Sequence, residues 1–405
     1  MRERQQETRY GFLRGLKRVP LIATAVLATL LAGCSSPARL APVPRADVGR
    51  AMPLGIENAR FFPDRQRDAL LAEFEQAVER QRQVAGLAPD AKLPAAELLA
   101  ISGGGDNGAF GAGVLAGWTK HGDRPEFELV TGVSTGSLLA PFAFLGPAYD
   151  EQLKAVYTTI TADDIYLERS LLNSIFNDAF ADTTPLFEHI SKYVDDAMMA
   201  AIAEEYRKGR LLLIASTDLD AQIPSIWNVG AIAASGEPGA LDLIRNILRA
   251  SAAVPGFFQP VMIDVEIDGV HYQELHVDGG AIAQMFLYPT NIDPNEIAHR
   301  QRTAYLILNA RDDPEWSDVD RRTLSIASRA ISTMIHYSGT ADLMRIYYTT
   351  QDEGIDYNLA FIGSDFAEKE TADFDKAYMN DLFAYAYALA SKGYPWLKEP
   401  PFAGE

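Results

Sequence analysis

The sequence predicts an α/β fold built on a mostly parallel sheet covered on both faces. Three observations carry this. Nearly continuous apolar runs, too apolar for strands with one wet face, occur at 98–102, 127–134, 210–219 and 303–310. Segments of helical spacing separate them. Two runs end in glycine-rich turns, Gly103-Gly104-Gly105 and Gly132-Val133-Ser134-Thr135-Gly136, of the kind that lead a strand into a helix. With 405 residues, 48% hydrophobic and 22% charged, the chain can bury a sizeable core. A net charge of −19 argues against a nucleic-acid partner.

The N-terminus reads as an address. Arg2, Arg4, Arg9, Arg14, Lys17 and Arg18 precede an apolar run of 13 residues at 21–33, too short to span a bilayer. Basic region, apolar run and small residues together read as a secretory signal over 1–33. Cys34, the only cysteine, follows Leu31-Ala32-Gly33. This resembles the bacterial lipobox, which implies lipidation of Cys34. Ser35 in second place then points to the outer membrane, within the cell envelope. With one cysteine no intramolecular disulfide can form.

Residues 34–62, rich in Pro, Ala and Arg and without an apolar period, predict a tether. Residues 63–85 predict an amphipathic helix behind Pro63-Asp64, and a loop to residue 94 closes this N-terminal unit. The strand at 98–102 opens the main domain, set at 95–312. Helices follow at 108–118, 136–146, 149–160 and 186–208. Residues 210–219 make a buried strand, 224–234 continue as strand or turn, and 239–252 form a helix. Asp268-Gly269 marks a hairpin turn within 259–280. After Asp312-Asp313-Pro314 the strands thin out. Long helices at 319–349 and 373–392, with a strand at 355–363 between them, predict a helical C-terminal extension over 313–405, packed on the same sheet.

The glycine loop has two chemical readings. Gly103 to Gly108 satisfies G-x-G-x-x-G between strand and helix, the dinucleotide fingerprint. That fingerprint also needs an acidic residue ending the next strand. Here the next strand ends in G-x-S-x-G instead, so the cofactor reading fails and no cofactor is expected. A hydrolase reading explains both motifs. The glycine loop and the helix behind it present backbone N–H groups to an oxyanion. Ser134 stands on a nucleophile elbow whose tight bend needs Gly132 and Gly136.

A serine nucleophile needs a base. The histidines are His121, His189, His271, His276, His299 and His336. Only the last two lie late enough for a Ser–acid–His order; His299 reads as solvated and His336 as a core residue on an apolar helix. Asp278-Gly279-Gly280 puts a carboxylate at a strand end, which fits either a base or a plain Asp-Gly turn. Asp218 and Asp220 read as turn carboxylates rather than metal ligands, so no metal is expected. Phe257 and Phe258 read as core.

GGGDNGAFGAGVL, GVSTG and VDGG, together with RASAAVPGFFQPV at 249–261, resemble the patatin-like phospholipase family over about 98–290. The resemblance implies a three-layer α/β/α fold and a Ser–Asp dyad without histidine. Ser134 would be the nucleophile and Asp278 the base, with an oxyanion hole from backbone N–H groups around Gly103, Gly104 and Gly105. Gly108, Gly132, Gly136, Gly279 and Gly280 belong to the matching motifs. The sequence departs from the family at Asn107, where Lys or Arg is common, and Asp106 adds a negative charge beside it. The reading that follows is a lipid acyl hydrolase held at a membrane by its lipid anchor, with a phospholipid or other acyl ester as substrate. The alternative class is a catalytically silent envelope lipoprotein that binds lipid or a protein partner.

Overall fold

Five parallel strands form the middle of the molecule, and their burial accounts for the apolar runs of the sequence. The computed structural model describes residues 39–401 except 90, 169–178, 180, 312–315 and 317. The expected signal at 1–33 and Cys34 lie outside the described residues. The first half of the chain contains β1 (Arg60–Phe61), α1 (Arg67–Val84), β2 (Ala96–Ile101), α2 (Gly108–His121), β3 (Leu129–Val133), α3 (Thr135–Leu145), α4 (Asp150–Thr159), β4 (Leu167–Glu168), β5 (Ala181–Asp182), α5 (Thr184–Tyr193) and α6 (Asp196–Arg207). The second half continues with β6 (Leu211–Asp218), β7 (Ile223–Asn228), α7 (Val229–Ala234), α8 (Ala240–Ser251), β8 (Val261–Ile267), β9 (Val270–Asp278), α9 (Pro294–Ile297), β10 (Arg302–Arg311), α10 (Thr323–Glu353), β11 (Asp356–Ile362) and α11 (Lys376–Ala390).

The order β11-β10-β2-β3-β6 is parallel throughout. Beyond β6 the sheet turns antiparallel through β7 and β1, and the β8–β9 hairpin joins β6 through β9. Side chains alternate between two cores, as a period of two requires. Leu99 and Ile101 face one core with Phe110, Leu139 and Ile247, whereas Leu98 and Ala100 face the other with Leu213, Leu306 and Leu343. Helices cover both faces, which gives the expected three-layer α/β/α arrangement. The hairpin turns where Asp-Gly predicts: Asp268 and Gly269 have φ of 51° and 80°, the left-handed pair that a two-residue turn needs.

Three expectations need correction. Residues 39–62 are not a tether. Val43, Val48, Ala51, Ile56, Phe61 and Phe62 are buried, β1 pairs with β7, and Met52 bridges to Glu266. The segment crosses the surface by bends and buries a side chain only where a bend meets the core, so it carries no period. Residues 186–208 are two helices, because Asp195 caps α6 by accepting the Met198 N–H at 2.8 Å. Residues 224–234 are strand then helix, with Asn228 capping α7 at Ala231. The C-terminal segment does pack on the sheet as expected, and β11 forms its edge.

Arg60 ties the N-terminal segment down. Its guanidinium is buried, pairs with Glu274 of β9, and donates to the Ala51 carbonyl at 3.0 Å. Arg60 and His276 hold the Glu274 carboxyl down at about 2, against the opposing effect of burial. Arg60→Met should therefore leave an uncompensated buried carboxylate and lower stability by about 3–5 kcal/mol. Urea unfolding measures this. An unchanged midpoint would mean that 39–62 contributes no packing.

Candidate active site

Register brings together two residues that are far apart in sequence. β3 runs parallel to β6 and ends with Val133 opposite Ala215. β9 runs antiparallel to β6 and ends with Asp278 opposite Ser216. The other side of β6 is occupied by β7. The two strands therefore approach head-on along one side of β6 and stop one residue apart. Ser134 follows the end of β3, and Asp278 is the end of β9.

Ser134 has φ 54° and ψ −127°, a conformation rarely adopted by a residue with a side chain. The bend is tight because α3 starts at the next residue. A Cβ on Gly136 would lie 2.3 Å from the Ile101 carbonyl oxygen, so the elbow admits only glycine there. Three bonds hold the strained residue. Its N–H donates to Ser251 Oγ at 3.0 Å, and its carbonyl accepts from Ser137 N and Oγ at 2.8 and 2.6 Å.

Ser251 was a residue of the 249–261 motif without a role in the sequence reading. It donates to the Ala215 carbonyl at 2.7 Å while accepting from Ser134, and so pins the elbow to β6. Two residues on, the Ala253 carbonyl accepts the Asp278 N–H at 2.9 Å. The motif thus grips both candidate residues.

The glycine loop is held from β10. Asn309, fully buried, donates through Nδ2 to the Ser102 carbonyl, accepts the Gly111 N–H at Oδ1, and donates its own N–H to Ser102 Oγ. Gly104 has φ 152°, and a Cβ there would fall 2.1 Å from the Asn309 carbonyl oxygen. Of the three glycines expected to donate, Gly103 is a correction: its N–H is taken up by the Gln284 carbonyl at 3.1 Å. Gly104 and Gly105 line the same cleft as Ser134, and their N–H groups donate to nothing among the described residues. The Thr135 N–H at the start of α3 is a further free donor, where the helix leaves its first N–H groups without partners.

Asp278 is buried. Its Oδ1 accepts the Gly280 N–H at 2.7 Å, and its Oδ2 has no hydrogen-bond partner. Burial pushes the carboxyl up to about 7; the nearby Ser134 hydroxyl and the Gly280 N–H act in the other direction. Among the described residues no histidine bonds to Ser134 or Asp278.

Both residues open into a cleft of about 640 Å³. Gly280 and Gln284 line it, and residues 329–338 of α10 wall it opposite the sheet. His336 belongs to that wall, not to the core as expected. A smaller apolar cavity of about 50 Å³ shares Gly105 with the cleft, touches Thr135, and is lined by Leu138, Phe142, Leu186 and Ile190. The departures at 106 and 107 have a structural use. The Asp106 carboxylate accepts the Phe374 N–H at 3.1 Å, and Asn107 Oδ1 accepts the Tyr378 hydroxyl at 2.6 Å. Phe258 is buried as expected, but Phe257 is exposed and not core, because it lies in the turn after α8; both rings meet Tyr166.

Asp218, Glu274 and His276 could together offer three ligands to a metal ion. Their atoms are already engaged: His276 meets Ser216 Oγ and Glu274, Glu274 holds Arg60, and Asp218 accepts the Asp220 and Ala221 N–H groups. A cation there would compete with the Arg60 guanidinium. Asp220, expected as a turn carboxylate, pairs with Arg39 at 2.8 Å.

Residues 99–291 match the family model described as patatin-like phospholipase. The match supports lipid acyl hydrolysis as the general activity. The structure of VipD from Legionella pneumophila aligns over 75% of this chain and 67% of its own, at 10% identity and a TM-score of 0.34. No curated protein matches the chain.

The raised Asp278 pKa has a consequence for stability. Below about pH 4 the carboxyl is protonated in both folded and unfolded chains and contributes nothing. Between there and about 7 the unfolded chain ionises first, so folding is increasingly penalised as pH rises. Above that the penalty is constant. Asp278→Asn should raise Tm by several degrees at pH 8 and leave it unchanged at pH 3.5. Calorimetry at the two pH values checks the sign.

Proposed function

We propose, on the premise that residues 99–291 form a patatin-like phospholipase domain, that the protein cleaves fatty-acyl esters of phospholipids or related lipids through a Ser134–Asp278 dyad and an acyl-enzyme. The observation that carries this is the meeting of a strained, cleft-lining serine with a buried carboxylate that keeps one oxygen unpartnered.

Asp278 Oδ2 takes the proton of Ser134 as Oγ attacks the ester carbonyl. Negative charge moves to the carbonyl oxygen, where the Gly104, Gly105 and Thr135 N–H groups are the available donors. Collapse breaks the ester bond, and Asp278 returns its proton to the leaving alcohol. Water then attacks the acyl-enzyme with Asp278 again as base; the bond to Ser134 Oγ breaks, Asp278 returns the proton to Oγ, and the fatty acid leaves. The apolar cavity beside Thr135 suits the methylenes nearest the carbonyl, and the wider cleft suits the remainder of the lipid. Asn107, bonded to Tyr378, supplies no positive charge to a head group. Lipidation at Cys34 would keep the enzyme at the outer membrane.

Fluorophosphonate labelling should mark Ser134. Ser134→Ala should lose labelling and about 10⁴-fold or more of ester hydrolysis, with Asp278→Asn similarly impaired. Folded wild-type protein that takes no label would instead be the silent lipid-binding lipoprotein. For the wild type, kcat/KM should rise with pH along a single ionisation near 7, because only the carboxylate form accepts a proton. Ser251→Ala should lower kcat about tenfold with KM little changed, since Ser251 positions the elbow without lining the cleft. Cys34→Ser should block processing and lipid attachment; protein still processed and membrane-bound would count against lipidation.

A further inference from the structure

The first half of α10 exposes a row of apolar side chains to solvent. Ile326, Ala330, Met334, Tyr337 and Ala341, spaced by three and four residues, form one outward stripe. Met334 is 71% exposed and Tyr337 61%, and Trp316, ahead of the helix, is 89% exposed. The second half of the helix is pinned by buried Asp342, Leu343 and Ile346, with Asp342 accepting the Gln284 and Met285 N–H groups at 2.6 and 3.2 Å. A soluble surface rarely carries such a stripe without an occupant.

Two features identify the occupant. The first is charge. The chain carries −19 overall, yet no acidic residue occurs between Arg321 and Ala341, while Arg321, Arg322 and Arg329 do. Arg321 and Arg322 are exposed. The second is position. Met334 and Tyr337 of the stripe also line the cleft that holds Ser134, so whatever covers the stripe also faces the cleft mouth. Along 321–341, an exposed tyrosine, apolar side chains and arginines without intervening acids make an interfacial helix; Asp318 and Asp320 lie between it and Trp316. None of the described helices is long and apolar enough to cross a membrane.

We propose that the first half of α10, with Trp316, is a docking surface for an anionic lipid bilayer, and that docking sets the cleft mouth on the lipid. What docking delivers rests on the hydrolase reading; docking itself does not. The test therefore uses the chain from residue 34 onward, without the basic and apolar signal, carrying Cys34→Ser and Ser134→Ala, which leaves neither anchor nor nucleophile. Sedimentation with phosphatidylcholine vesicles containing phosphatidylglycerol should show binding, weakened at least tenfold without phosphatidylglycerol or at high salt. Trp316 fluorescence should shift to the blue on binding, and Trp316→Phe should remove the shift. Ile326→Asp, outside the cleft, should reduce binding at least tenfold. With Ser134 restored, it should leave hydrolysis of a soluble short-chain ester unchanged. No binding, or binding indifferent to Ile326→Asp, overturns the proposal. So does a dimer in sedimentation velocity that Ile326→Asp dissociates, because the stripe would then face a second copy of the chain.

Discussion

The head-on meeting of β3 and β9 alongside β6 is the constraint on which the rest of the site depends. Neither strand can be extended by a residue without entering the space of the other, so one ends in a bend and the other in Asp-Gly-Gly. The bend forces positive φ on Ser134, and the Asp-Gly-Gly end turns where it meets Val133. Gly279 lies directly against Ala215 and Val133 at this junction. Once β6 holds both strands in register, the separation of the two side chains is set by backbone pairing and does not depend on loop placement. Ser251 and Ala253 add a clamp from α8 that fixes the same two residues from a second direction.

The same junction shapes the electrostatics. Asp278 lies where strand ends close over it, so its carboxylate is poorly solvated and no cation compensates it. An arginine such as Arg60, which fully engages Glu274 nearby on the same strand, would hold Asp278 ionised and of little use as a proton acceptor. The two carboxylates of β9 thus have opposite treatments a few residues apart: one paired and kept strongly acidic, the other left unpaired and raised into the neutral range. The first fastens the N-terminal segment. The second suits proton transfer and weakens the fold where it sits.

Much of this was legible in the sequence because its signals are local. A strand buried on both faces is written as a continuous apolar run, and glycines mark the two bends and the hairpin. Other parts depend on contacts between distant segments and leave no local pattern. Residues 39–62 have no periodicity because they pack by bends, and composition alone makes them look like a linker. The loss of Gly103 as a donor depends on the Gln284 carbonyl, nearly two hundred residues away. Asn309 looks like an ordinary polar residue at a strand end until it is seen holding Ser102 and Gly111. His336 lies on an apolar helix, and only tertiary placement shows that its side of the helix faces a cleft.

The bonds from Asp106 to Phe374 and from Asn107 to Tyr378 bear on where the functional unit ends. The segment matching the family stops at residue 291, and it contains Ser134, Asp278 and every glycine of the motifs. A chain cut there would nonetheless lose Asn309 and the two anchors of the glycine loop, and without β10 strand β2 would become a bare sheet edge. Such a fragment would keep the chemical groups and lose the framework that aims them. The glycine loop and the C-terminal segment are therefore one mechanical unit: removing the carboxylate at 106 or the amide at 107 unties the loop from 374 and 378, although neither change touches Ser134 or Asp278.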